Sequence, residues 1–262
     1  MKNAAVYDWA TTQVLWRRDL IRFWRQPSRL IGAMGQPIIF WFVIGSGMAS
    51  TFAVAGSSID YMTYFFPGVV LLIALFASIF ASVSVIEDRH QGFLQAVLAG
   101  PGSRAALVVG KCCGSASVGM LQALLFLACA PLSGFSYASI DWPLVLLALL
   151  SACAGLSALG FAAAWALDNV QAYHAVQMTL LMPLWVVSGA MFPMPADQVV
   201  FRWAMRLNPI AYALSALRHG LHGGYIIDAG LTVAAPWPSL AVVLAFTLLA
   251  SVLSVWVCRR KS

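Results

Sequence analysis

Charged side chains are scarce in this chain: they make up 9% of its 262 residues, where a soluble globular domain carries about 25%. With 61% of residues hydrophobic, the deficit excludes a soluble domain and predicts an integral membrane protein. Motifs for chemistry are missing as well. No GxxxxGK[ST] occurs: Gly110 and Lys111 are followed by Cys112, and the position five before Gly110 is Ala105, so the chain has no P-loop to cradle ATP phosphates. HExxH and GxSxG are absent too. The five cysteines, Cys112, Cys113, Cys129, Cys153 and Cys258, have no metal-ligand spacing and read as free thiols in apolar surroundings. His219 and His222 stand three apart, but with no third ligand beside them they read as interfacial histidines and not a zinc site.

What is abundant is long apolar runs. Spanning a hydrocarbon core of about 30 Å takes about 20 apolar residues, and six stretches meet that length to within a few residues: 30–48, 66–86, 110–133, 144–167, 175–192 and 240–257. The first lies behind an Arg-rich stretch without a small-residue cleavage pattern, which reads as a retained span and not a signal peptide. Within these spans no Asp, Glu, Lys or Arg is expected except at their ends, which weighs against a proton-driven carrier. The expected fold is therefore an all-α integral membrane domain over 1–262.

Of the 15 Lys and Arg, 12 fall before the first span, between the second and third, or after the last. Positive-inside reasoning makes that face cytoplasmic, with both termini on it. The net charge of +6 follows from this bias, with anionic lipid heads as its partner and no nucleic acid required. Asp60, Asp141 and the segment 193–238 then fall outside.

Three interruptions carry information. In residues 1–29, Val6, Trp9, Gln13, Trp16, Leu20, Phe23 and Trp24 recur at helical spacing with Arg17, Arg18, Arg22 and Arg25 mostly off the stripe. This predicts an amphipathic helix lying flat on the inner leaflet, either as a simple anchor or with a further role. In residues 87–104, EDRHQGFLQAVLAGPGSR, the acidic pair Glu87 and Asp88 ends a span, Phe93, Leu94, Val97 and Leu98 form the apolar face of a short helix, and Gly100, Pro101 and Gly102 stop it. That face is covered either by the bilayer or by a partner protein. In residues 193–238, Asn208 reads as an N-cap and Pro209 as the first helical residue. Ile210, Ala213, Leu214, Leu217 and Leu221 follow at helical spacing. Two helices too short to cross, punctuated by Arg202, Arg206 and Arg218 and including Tyr212, predict a re-entrant hairpin in the outer leaflet. The small residues Gly110, Gly114, Ser115 and Gly119 predict close helix packing, within the chain or between chains.

Four ordered pieces, FFPGVV, EDRHQGFLQAVLAGPGSRAALVVGK, MPLWVVSGAMFPMP and LNPIAYALSALRHGLHG, resemble the ABC type-2 transporter permeases, the membrane subunits of one class of ABC exporters. The resemblance implies a homodimer or heterodimer of six-span subunits in the plasma (inner) membrane, served by two copies of a separate cytoplasmic ATPase that binds ATP and Mg, with no cofactor in this chain. It also implies that residues 87–104 carry a coupling helix seated on the ATPase, with Glu87, Asp88, Arg89, Gly92, Phe93, Leu94, Val97, Leu98, Pro101 and Arg104 as the coupling residues. His90 and Gln91, after the expected basic residue, are a mild departure. Asn208, Pro209, Tyr212 and Arg218 are the residues expected in the outer cap. The implied cargo is amphipathic, lipid-linked, polysaccharide or a hydrophobic drug. The alternative class is a polytopic membrane protein acting without ATP, for which His174 and Ser188 are the one loose candidate catalytic pair.

Overall fold

The computed structural model describes residues 2–48, 59–193, 198–223 and 231–260, and these are helical with no strand among them. In chain order the helices are α1 (Lys2–Trp24), α2 (Pro27–Met48), α3 (Tyr61–Ser82), α4 (Ser84–His90), α5 (Phe93–Leu98), α6 (Arg104–Leu127), α7 (Trp142–Ala166), α8 (Val170–Trp185), α9 (Val199–Leu207), α10 (Pro209–His222) and α11 (Pro236–Arg260). A 3-10 turn at Ala130–Ser133 follows α6, and a π turn at Val186–Ala190 extends α8. Residues 194–197 and 224–230 of the expected outer segment, and Lys261, lie outside the described residues.

Contacts fix the helix directions. Along α3 and α8, Tyr173 reaches Ile79, Trp185 reaches Gly68 and Tyr64 reaches Gly189, so one number rises as the other falls and the two are antiparallel. α6 is antiparallel to α3 by the same test, with Gly119 on Ser78 and Lys111 on Ser84. α7 and α11 run parallel: Thr247 donates to the Ser151 carbonyl and Ser254 to the Ala158 carbonyl, one constant offset seven residues apart. Gly155, against Phe246 and Thr247, lets these two approach closely, as small residues do in lipid. The C-terminal ends of α4, α7 and α11 and the start of α6 thus gather at one end of the bundle, which holds Glu87, Asp88, Arg104, Asp168 and Arg259. The start of α3, the π turn and α10 gather at the other.

Four of these helices are long and apolar enough to cross a membrane: α3 with α4 (Tyr61–His90), α6, α7 and α11. The stretch of α2 within the residues whose side chains are described, Met34–Met48, is shorter. So is α8, whose 16 residues cover about 24 Å at 1.5 Å each. The sequence boundaries shift accordingly. α6 begins at Arg104, capped by Ser103, whose Oγ accepts from the Ala106 N–H, and not at Gly110. Lys111 therefore lies two turns inside a helix and is 1% exposed, a buried cation that hydropathy had placed at a span edge.

The first helix departs from the flat orientation. Asp8 meets Ser103, Leu15 meets Gly110 and Asp19 meets Gly114, each 95 positions apart, so α1 runs lengthwise and parallel along the first half of α6. Its buried face is Leu15, Asp19 and Phe23, while Trp9, Trp16 and Trp24 face outward. The reason is steric: Gly110 and Gly114 leave a groove that takes the α1 backbone, with ideal Cβ positions only 3.0 and 2.9 Å from Leu15 and Asp19 atoms. Gly119 packs on Ser78 in the same way. The small-residue face of α6 is thus used within the chain.

Candidate functional site

At the charged end, a knot of ions joins α1, α4 and α6. Asp88, fully buried, accepts both arms of the Arg18 guanidinium at 2.7 and 2.8 Å. It also accepts from the Lys111 ammonium, and Arg22 stands 3.7 Å away. Lys111 bonds Asp19 at 3.0 Å and Ser84 at 3.4 Å. Arg22 donates to Glu87 at 2.5 Å. Three cations (Arg18, Arg22, Lys111) thus face three anions (Asp19, Glu87, Asp88), and this balance is what permits burial, since an unpaired charge in a dry interior costs several kcal/mol. Burial pushes the Asp19 carboxyl above the ordinary carboxylate range, outweighing the pull of Lys111. The hydrogen bonds to Asp88 push the Arg18 guanidinium up.

The rest of residues 87–104 forms a short structured unit. Arg89 donates to Asp168 at 3.0 Å and to the Trp165 carbonyl at 3.2 Å, and lies over the Trp165 ring, so it holds the end of α7. The Arg89 hydrogen bond keeps the exposed Asp168 carboxyl below its usual range. Gly92 takes φ +75°, the left-handed conformation that turns α4 into α5 and that a side chain would strain. Phe93 lies 3.7 Å beneath the Arg18 guanidinium.

Leu94 corrects the sequence reading. It is 2% exposed and packs into its own chain, as Phe93 and Val97 do in part. The apolar face of α5 is covered by the subunit itself, and the outward face carries Gln95, Ala96 and Leu98, with Ala99 after the helix end. The helix is six residues long. Pro101 is exposed in the stop. Arg104 donates to the Cys258 and Arg259 carbonyls, both at 3.2 Å, so it caps the last turn of α11.

At the opposite end the Asn208–Pro209 break is as the sequence reads it. The Asn208 side chain accepts from the Ile210 N–H at 3.0 Å and donates to the Leu184 carbonyl at 2.6 Å, tying the start of α10 to the end of α8. Tyr212 bridges the break by donating to the Arg206 carbonyl at 2.9 Å. Arg218 is 2% exposed and donates to the Leu231 and Gly189 carbonyls at 2.6 and 2.9 Å, with its guanidinium 4.3 Å over the Tyr64 ring. Gly189, at φ +86° in the π turn, also accepts from the Tyr64 hydroxyl at 2.6 Å. π turns within helices recur at functional positions.

Between the two ends, α1, α2, α3, α6 and α8 enclose an open groove of about 580 Å³. Phe40, Phe76, Phe80, Met178 and Met182 make its body apolar, while Asp19, Arg22 and Glu87 give it a charged rim. The candidate pair His174 and Ser188 is not brought together. His174 stacks on Phe80, and Ser188 donates to the Trp185 carbonyl. Fourteen positions on one helical segment set them about 21 Å apart. His219 turns to the Ala234 carbonyl and His222 to the Phe135 ring, and no cluster of metal-ligating residues occurs among the described residues.

The sequence profile described as ABC-2 type transporter matches residues 10–222, which takes in most of α1, the ion knot, the groove and α10. The chain belongs to the ABC-2 type transporter family. It is similar to Nodulation protein J of Rhizobium leguminosarum bv. trifolii, 26% identical over 220 residues that cover 82% of both chains. It is 22% identical over 211 residues to the putative transport permease ycf38 of Porphyra purpurea, covering 79% of this chain and 72% of that one. It is 23% identical over 221 residues to the inner membrane transport permease YadH of Escherichia coli strain K12, covering 82% and 84%. ABC-2 permeases are membrane proteins of transport and normally work with an ATPase subunit. The ion knot of this ABC-2 chain escaped sequence reasoning because Asp19 and Lys111 lie 92 positions apart. One local signal was present: Leu15, Asp19 and Phe23 repeat every four residues, a stripe that puts an aspartate on a buried face.

Proposed function

We propose that the chain is the transmembrane permease subunit of an ATP-driven ABC exporter. It forms the translocation pathway and receives work from a separate ATPase, two copies of which serve a homodimer or heterodimer of permeases and bind the ATP and Mg. α2, α3 with α4, α6, α7, α8 with its π turn, and α11 make six passages of the plasma (inner) membrane with both termini cytoplasmic. α9 and α10 form the re-entrant outer segment. Residues 87–104 are the coupling segment, and α1 braces it.

The observation that carries this reading is the face that α5 leaves open. Leu94 is used inside the subunit, so the contact offered outward is Gln95, Ala96, Leu98 and Ala99, with Leu98 at 40% exposure on a helix clamped to α1 by Arg18. A small rigid platform of this kind can take a push. The 580 Å³ groove, apolar with a charged rim, suits an amphipathic, lipid-linked or hydrophobic cargo, within the volume range of ligand pockets.

The test is affinity purification of the permease from its own membranes. A P-loop ATPase should copurify and hydrolyse ATP, and Leu98→Asp should cut its yield at least tenfold while the permease inserts normally. A permease that purifies with an ATPase unaffected by Leu98→Asp would remove α5 as the coupling helix. A permease that purifies without any ATPase would restore the reading of a polytopic protein acting without ATP.

A further inference from the structure

We propose that Lys111 is a positioning residue: it fixes the register of α1 on α6, so that α1, α4 and α6 move as one body. The inference rests on the reading of residues 87–104 as the segment that receives force. A push on α5 meets a compliant joint at each side. Towards α4 there is the single left-handed residue Gly92, and towards α6 there is the stretch Gly100, Pro101, Gly102. Neither transmits a direction well.

What bridges those joints is the ion knot. Phe93 of α5 lies under Arg18 of α1. Arg18 forks onto Asp88 of α4, Asp88 takes the Lys111 ammonium of α6, and Lys111 returns to Asp19 of α1. The loop is closed, and Lys111 stands in it with all three N–H donors used, on Asp19, Asp88 and Ser84.

Other hydrogen bonds cross the α1–α6 interface, from Thr12 to the Ala106 carbonyl, from Trp16 to Ser117 and from the Ser103 N–H to Asp8. They are neutral or exposed, whereas the Lys111–Asp19 contact is charged and buried. Leu15 and Phe23 are apolar, and they and Asp19 lie along a face whose α6 side includes Gly110 and Gly114. Non-directional burial holds two helices together without choosing one axial setting from the next. A compact ammonium between two carboxylates from different helices does choose.

The experiment reads register directly. In the full complex, Asp8→Cys and Ser103→Cys replace a pair in hydrogen-bond contact, and oxidative cross-linking is scored without nucleotide and after trapping with ATP and vanadate. Cross-linking should be near complete in both states. Lys111→Met alone leaves Asp19 without its lysine, so Lys111→Met is combined with Asp19→Leu, which removes both ions together and keeps Asp88 on Arg18. Replacing both members of a buried pair by apolar residues is often neutral for stability, so this double variant should melt with wild type.

Its 8–103 cross-link should nevertheless fall at least fivefold, and a pair one turn away, Thr12→Cys with Ser103→Cys, should gain. A double variant that melts with wild type and retains the full 8–103 yield in both states would overturn the proposal and leave Lys111 a structural cation only. The nucleotide-free arm needs no ATPase, so its outcome stands apart from whether residues 87–104 meet one.

Discussion

Lys111 at one end of the helix bundle and Arg218 at the other are both withdrawn from solvent, at 1% and 2% exposure, yet they are neutralised by different means. Lys111 faces two carboxylates from two other helices. Arg218 meets, among the described residues, no carboxylate at all: two carbonyl oxygens and the face of Tyr64 take its charge. Formal charges on side chains tie whole helices to one another. Carbonyl dipoles hold the backbone that carries them, here the π turn around Gly189. The charged end of the molecule is therefore built to keep elements together, and the opposite end to keep one irregular stretch of backbone in shape.

The sharpest way to break the comparison is to remove each cation. Lys111→Met strands the buried Asp19 carboxylate, while Asp88 keeps Arg18, and should destabilise by about 3–5 kcal/mol, the range for one partner lost from a buried pair, read by thermal unfolding in detergent. Arg218→Met strands only dipoles and also relieves a buried cation of its desolvation. Its cost should be smaller, about 2 kcal/mol, of the order of one hydrogen bond to a charged group. If Arg218→Met proves the costlier of the two, the carbonyl cage is the stronger device and the contrast fails.

Two smaller changes refine the picture. Asn208→Ala removes the N-cap of α10 and the bond to Leu184 together and should cost about 1–2 kcal/mol, with loosened amide exchange at the first turn of α10. Arg104→Ala removes a partly exposed cation from the last carbonyls of α11 and should cost about 0.5 kcal/mol, with faster exchange confined to the end of α11.

The same contrast explains what could be read before the fold was known. The Asn208–Pro209 break and the Gly100-Pro101-Gly102 stop are local chemistry: a cap, a fixed φ and a missing N–H act within three residues, so the sequence shows them outright. The all-α membrane class follows from the apolar runs in the same way. The use of Leu94 inside the subunit was not legible, because an apolar face needs a cover and the sequence does not say whose. Lys111 was misplaced because hydropathy set the span edge at Gly110, although Ser103 before Arg104 is an N-cap signal that would have started the helix six residues earlier. Arg218 was read as a residue of the outer cap, but its burial was not legible, since its partners Gly189 and Tyr64 are 29 and 154 positions away. Asp19, Lys111 and Asp88 meet only once α1 lies along α6, and no window of sequence contains that.

The smallest effect belongs to an ion pair at the charged end that stands in the open. Asp168 is 69% exposed in its pair with Arg89, with His90 at 3.6 Å, and exposed pairs are screened and contribute little. Its carboxyl is held below the ordinary carboxylate range by the Arg89 hydrogen bond. A depressed carboxylate contributes what stability it has above the unfolded value of about 4, and loses it as pH falls through the lower folded value. Asp168→Asn should therefore match wild type in unfolding temperature at pH 7 to within the measurement. The Arg89 bond to the Trp165 carbonyl should keep the end of α7 in place without it. Any pH-dependent difference between the two proteins should be confined to the acid side of pH 4. A drop at neutral pH comparable to that of Lys111→Met would mean that exposure does not separate the open pair from the buried knot, and that charge at this end acts as one network instead of one buried core with a screened neighbour.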